Sequence, residues 1–381
     1  MTSFIIFLTL FLFTFQYNAP YSETTIPAFN ENKDSPPFLS FSEELVEAKM
    51  GKQSRQIISL KIGIPKQELK VKLSTAICGL WILDKHYFKR GYDYKTSESF
   101  QSMDVQGKVD FTRGILVKDY MNFCKVDSFE KIPFLLVNQI VDTDKIPRNY
   151  DGLIGFGYKC RSASLGNINI FDYFQGKGNI KNDITVFLLN ASTLKGKFTF
   201  GGYPNKLDIK SRHYRTVPLN KNNDNGHWEV NLHSIYFSTG DMMLINKPLS
   251  IGIGGSAFGV NEEVFDYIVG HYFYDSMEKG LCVLDKEEVW EIFCNKEFDI
   301  ESIGNIGLIL GKWNIKIKPG VMFKDVTVDK EMKKWFSIVF YQELSGQFYL
   351  SQTMLEGINA VVYNRENDVL GIYEGDYNEA K

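Results

Sequence analysis

Apolar and polar positions along this chain alternate with a period of two far more often than they recur every three or four residues. Gln56–Ile64 (QIISLKIGI), Leu69–Leu73 (LKVKL), Lys195–Phe200 (KGKFTF) and Trp228–Phe237 (WEVNLHSIYF) alternate or are rich in β-branched and aromatic residues. That is the pattern of half-buried strands. Between such runs lie GIPKQ, GGYPNK and NKNNDNG, whose Gly, Pro and Asn residues suit turns. Helical spacing is confined to Glu43–Lys49, to Asn261–Tyr267 behind a capping Asn, and to Ser351–Glu356. Many short strands and few helices predict a mainly antiparallel all-β protein. The 381 residues exceed the roughly 250–300 at which one core stops growing, so two cores in two barrel-like lobes are expected.

The N-terminus bears on the compartment. Residues 4–15 form an uncharged apolar run (FIIFLTLFLFTF) with no Lys or Arg before it. Twelve residues at a rise of ~1.5 Å reach about 18 Å, short of a hydrocarbon core of ~30 Å. The run fits a secretory signal peptide over residues 1–22, cut near Ala19 to Ser22, better than a buried N-terminal element or an uncleaved anchor. A secreted chain with no membrane attachment after cleavage is therefore expected. Residues 23–50 are polar, Pro-bearing and weakly patterned, and read as a leader or flexible segment. The lobes are then expected over 51–205 and 206–381.

Composition narrows the classes. With 43 basic and 46 acidic residues the net charge is −3, which supplies no basic excess for binding nucleic acid. The hydrophobic share of 44% argues against disorder. Five cysteines are too few for a disulfide scaffold, and in an oxidising compartment leave one unpaired. Cys282 and Cys294 are close enough in sequence to close a local loop, and Cys124 with Cys160 is a second possible pair. Cys78 reads as a small buried hydrophobe, with a reactive thiol as the alternative. Asn190-Ala191-Ser192 is an N-glycosylation sequon, used or unused. The histidines (His86, His213, His227, His233, His271) are scattered, with no H-E-x-x-H and no C-x-x-C, so no metal site and no cofactor are expected. GIGGSAFG (252–259) lacks the Lys-Ser/Thr of a phosphate loop and reads as a turn. Trp81 and Trp228 read as core.

Seven blocks occur in order: RQIISLKIGIPKQELKVKLSTAICGLWIL (55–83), GILVKDY (114–120), NYDGLIGFGY (149–158), GKFTFGGYPNKL (196–207), HWEVNLHSIYF (227–237), LSIGIGGSAFGV (249–260) and FYLSQTMLEGINAVVYNRENDVLGI (348–372). Gly63, Pro65 and Gln67 form a Gly-x-Pro-x-Gln hairpin before a strand, and Leu80-Trp81 follow the next turn. Over about residues 55–373 this series resembles the pepsin-like aspartic peptidases. The resemblance implies the bilobal acid-protease fold, with a cleft between two β lobes and one aspartate from each at its floor.

The residues for that chemistry are missing. In the family two aspartates share a proton and activate a water, because two like charges that close cannot both ionise. The first Asp-Thr-Gly motif falls on Ser74-Thr75-Ala76-Ile77-Cys78, and the second on Gly252-Ile253-Gly254-Gly255-Ser256. The flap tyrosine falls on Gly107, beside Gln106. Ile253 replaces one of the paired threonines, while Thr75 is kept. Ser351-Gln352 stands where the family has Gly-Asp. Ser74, Thr75, Ala76, Gly107, Gly252, Ile253 and Gly254 thus outline a cleft with no catalytic residue. Ser74 reads as a satisfied buried hydroxyl, with no base nearby to make it a nucleophile. Two functions follow. One is a secreted, inactive monomer that binds an extended peptide or protein in its cleft, or inhibits by its surface. The other is an endopeptidase with a rearranged site using a carboxylate such as Asp84 or Asp110.

Overall fold

The computed structural model describes residues 38–374 apart from 49–50, 77, 110–111, 124–125, 128–130, 142–148, 160–172, 174–181, 191–194, 205–206, 222–225, 254–256, 287–288, 329–330, 342–345, 352–353 and 356–357. The expected signal peptide lies outside the described residues. So does the sequon beyond Asn190, which ends the strand Ile184–Asn190.

Alternation in the sequence becomes alternation in space. In Gln67–Ser74 the residues Leu69, Val71 and Leu73 point into the core, while Lys70 and Lys72 take the other face. Among the described residues the strands build two sheets, of fifteen and ten strands, and an all-β bilobal architecture results. Each sheet contains the same four-strand motif. In the first, Gln67–Ser74 runs parallel to Gly152–Phe156, which pairs antiparallel with Cys78–Leu83, itself parallel to Ile132–Ile140. In the second, Met242–Gly252 runs parallel to Phe348–Ser351, which pairs antiparallel with Phe258–Val260, itself parallel to Glu331–Tyr341. Ser74 and Gly252 are therefore counterparts, each the last residue of the first strand of its motif.

The structure corrects one expected helix and shows two features that the sequence did not carry. Glu43–Lys49 does not form a helix: Phe38–Ala48 is a strand, paired with Lys195–Phe200 on one side and Gly51–Ile62 on the other. Part of the expected leader is thus built into the first sheet, because long-range ladder bonds override a weak local preference. The first sheet also takes in strands from beyond residue 205. Tyr214–Pro218, Ala360–Asn364 and Val369–Tyr373 all join the first sheet. Finally, the two expected cores are continuous. One cluster runs from Leu60, Val71 and Phe156 through Trp228 and Tyr363 to Ile251, Phe336 and Leu350. The bridge is aromatic: Trp228 packs its ring 4.9 Å from that of Tyr363 and donates its Nε1–H to the Phe156 carbonyl at 2.7 Å.

The helix cap at Asn261, the two core tryptophans and the local disulfide are as expected; Cys78 and Ser351 are not. Asn261 caps the helix Glu262–Ile268, its side chain accepting from the Val264 amide. Trp81 and Trp228 are buried in the core. Cys282 and Cys294 face each other on paired strands and form a disulfide. Cys78 is not a free thiol; it too is disulfide-bonded, to a partner outside the described residues. Of Ser351–Glu356, Ser351 ends a strand and most of the rest lies outside the described residues. Among the described residues no helix is long and apolar enough to cross a membrane.

Candidate functional site

The two counterpart strand ends meet. Ser74 is buried, and its Oγ accepts from the Ala76 amide at 3.2 Å. That bond turns the hydroxyl back onto its own loop, a local Ser-turn geometry. Thr75 is 2% exposed, and its Oγ1 accepts from the Ile253 amide at 2.8 Å. The hydrogen bond ties the two motifs together. It has no reciprocal partner from the other side, because Ile253 offers only hydrocarbon. The buried Tyr363 points its hydroxyl toward Thr75 without completing a hydrogen bond, and burial pushes its pKa well above the ordinary tyrosine value.

Gly252 is not an open vacancy. A Cβ placed there would lie 2.8 Å from Tyr349 Cε2, 2.9 Å from its hydroxyl oxygen and 3.1 Å from Thr75 Oγ1. The phenol of Tyr349 fills the space that a side chain at 252 would need. This follows from register: Tyr349 sits opposite Ser250 on a parallel neighbour, two residues from Gly252 and on the same face. Tyr349 is the residue that sequence reasoning missed. The only signal was a glycine in one strand and a large aromatic in another block, with no local pattern joining them.

A cavity of about 320 Å³ opens beside these groups. Ser74, Ala76 and Ile253 line it, together with Lys72, His227 and Tyr349, and Tyr341 forms part of the wall. Burial, reinforced by the charge of Glu291 behind it, pushes the Tyr341 pKa up to about 12. No carboxylate is among the described lining residues. His227 places Nδ1 at 3.3 Å from Ser250 Oγ. Lys72 and His227 were also missed as site residues: both lie inside the ordered blocks, at positions to which the sequence assigned no role.

The remaining predicted positions fall as follows. Gly107 is buried in Gln101–Val109 and pairs with Gly114. Gly254 lies outside the described residues, as does Asp110. Asp84 is buried, caps a short helix by accepting from the His86 amide, and does not line the cavity. Desolvation raises its pKa, against the lowering effect of that amide bond. Among the described residues no group of three or more His, Cys, Asp or Glu side chains is placed to hold a metal.

Known proteins match this chain in two comparisons. The model of a family described as eukaryotic aspartyl protease matches residues 56–374. Plasmepsin VIII of Plasmodium berghei (strain Anka) is 28% identical over 196 residues, which covers 45% of this chain and 51% of that protein. The chain thus spans about half the length of that relative.

Proposed function

Because the chain belongs to the eukaryotic aspartyl protease family, we propose that it is a secreted pepsin-like homologue without peptidase activity, which binds an extended peptide or protein segment in the cleft between its sheets. The observation that carries this reading is the pair of strand ends, Ser74 with its hydroxyl turned onto Ala76, and Gly252 with the Tyr349 ring in its side-chain space. Water activation in this fold needs a base that titrates near the working pH. A serine hydroxyl does not, and glycine has no side chain. Holding a peptide needs less: main-chain hydrogen bonds along an extended ligand and a cavity for its side chains. The retained Thr75–Ile253 bond keeps the floor of such a cleft in register.

The test is cleavage of a denatured protein between pH 2 and 6, with and without a transition-state-mimicking inhibitor of aspartic peptidases. Turnover at background level, unaffected by the inhibitor, is the expected result. Inhibitor-sensitive turnover would overturn the proposal in favour of a rearranged carboxylate site.

A further inference from the structure

We infer that Glu291 gates the cavity: while its carboxyl is neutral the Tyr341 ring holds the cavity wall, and once it is ionised the Tyr341 phenol turns to the carboxylate and the wall gives way. The inference rests on the reading of the cleft as a peptide-binding site and adds its regulation.

The geometry comes from one face of the second sheet. Val289 and Phe293 pack with Trp335, Val339 and Tyr341, so the odd-numbered residues of Val289–Cys294 and Glu331–Tyr341 share that face. Glu291 stands between Val289 and Phe293 on it, buried, with Oε2 unpartnered. The ladder is also interrupted there: Trp290 pairs with Phe340 and Ile292 with Phe336, two steps along one strand against four along the other. Such a bulge disrupts the ladder locally and leaves residues unpaired. Just past it Val289 pairs with Tyr341. Tyr341 is where this face reaches the cavity of about 320 Å³. Its ring lies against Gly259, another lining residue: a Cβ there would meet Tyr341 Cδ2 and Cε2 at 3.5 Å.

The groups that face Glu291 decide what ionisation does. Asp285 is directly opposite on Cys282–Lys286. On Phe323–Val328, Lys324 pairs with Trp335 and stands 6.0 Å from its ring. Lys333 and Glu331 lie farther along the strand of Tyr341, opposite Val326 and Val328. Lys286 pairs with Trp290 and covers that ring at 3.8 Å, on the other face. Burial first, and Asp285 second, favour the neutral carboxyl and raise its pKa to about 7. Once ionised, a buried carboxylate must find donors. Two share its face: the Trp335 indole N–H, which has no partner, and the Tyr341 phenol, which keeps its proton to about pH 12. Their bonds to a carboxylate are charge-assisted and roughly twice as strong as neutral ones. A phenol drawn toward Glu291 takes its ring off Gly259, and the wall on that side is lost. Lys72, His227 and Tyr349 are the other titratable side chains among the described lining residues, and the test must separate them from Glu291.

The experiment is fluorescence polarisation with the full-length secreted protein and the peptide Thr-Val-Thr-Phe-Thr-Val-Thr-amide, labelled on its N-terminus with a pH-insensitive rhodamine. The peptide has no titratable side chain, so any slope with pH belongs to the protein. With binding confined to the neutral form of Glu291, affinity at pH 8 is expected to be about tenfold weaker than at pH 5.5, pH 8 being one unit above a pKa of about 7. Glu291→Gln should bind as tightly at pH 8 as at pH 5.5, and Tyr341→Phe, which removes the phenol donor, should do the same. Equal wild-type affinity at the two pH values would overturn the gate and leave peptide binding in the cleft standing. A slope that survives in Glu291→Gln would belong to Lys72, His227 or Tyr349 and refute the inference. One that survives in Tyr341→Phe would refute it too, since the phenol is the moving part. Binding at neither pH would sink the peptide-cleft reading itself, and the inference with it.

Discussion

Replacing Glu291 by glutamine should stabilise the protein above neutral pH and leave it unchanged near pH 4. Glu291 lies in the strand Val289–Cys294 and is 7% exposed. Its Oε2 has no hydrogen-bond partner, nor does Nε1 of the neighbouring Trp335. Asp285 sits directly opposite it in the antiparallel register. Burial, and then repulsion from Asp285, raise the Glu291 pKa from 4.5 to about 7. At 1.36 kcal/mol per pKa unit that rise corresponds to about 3 kcal/mol. The sign follows from proton uptake. Between pH 4.5 and 7 the native state holds a proton that the unfolded chain has released. Stability therefore falls as pH rises through that window, by about 3 kcal/mol in all. Glutamine keeps the shape and never ionises, so Glu291→Gln removes this slope. Urea unfolding of both proteins at pH 4, 5.5, 7 and 8 is the assay. The curves should coincide at pH 4 and separate progressively, with the variant more stable by up to about 3 kcal/mol at pH 8. Parallel pH profiles for the two proteins would refute the reasoning.

Three further outcomes are expected. Thr75→Val removes the acceptor of the Ile253 amide and should destabilise by about 1–3 kcal/mol, the penalty of an orphaned buried N–H. Thr75→Ser should restore most of it, and equal denaturation midpoints for the Val and Ser variants would count against the bond. Gly252→Ala drives a methyl against the Tyr349 ring and should cost about 1–3 kcal/mol, as overpacking does. That loss should largely disappear in a Tyr349→Ala background; a double-mutant cycle showing no coupling would contradict the crowding. Removing the Cys282–Cys294 disulfide by paired serine substitution should lower stability by about 2–4 kcal/mol, measured as a midpoint shift that a reducing agent does not enlarge through this pair.

Much of this was legible because β structure writes a period of two into the sequence. Lys195–Phe200 matches an observed strand residue for residue, and Trp228–Phe237 differs by one residue at each end. The serine at 74 and the glycine at 252 were legible too, since a residue type at a motif position needs no geometry to be read. What escaped was whatever depended on distant pairing. Phe38–Ala48 is a strand because Lys195–Phe200 lies beside it, and no local window contains both. Tyr349 fills the place beside Gly252 only through the parallel register of two strands about a hundred residues apart. Lys72 sits on the outward face of an alternating strand, and only the cavity it shares with Ser250 and Tyr349 sets it apart. The bond at Cys78 was hidden for the same reason, as a cysteine's partner is a tertiary fact.

The strands Ala360–Asn364 and Val369–Tyr373 complete the sheet that Ile184–Asn190 belongs to. This has a consequence for the order in which the protein is made. When a ribosome has delivered the first two hundred residues, that sheet still ends in an open edge whose proper neighbour has not been synthesised. Such an edge is a template for any other strand it meets. The nascent chain therefore needs shielding until those two strands have been made. A stop codon near residue 358 would damage the sheet built from the earliest strands, far from the break in sequence.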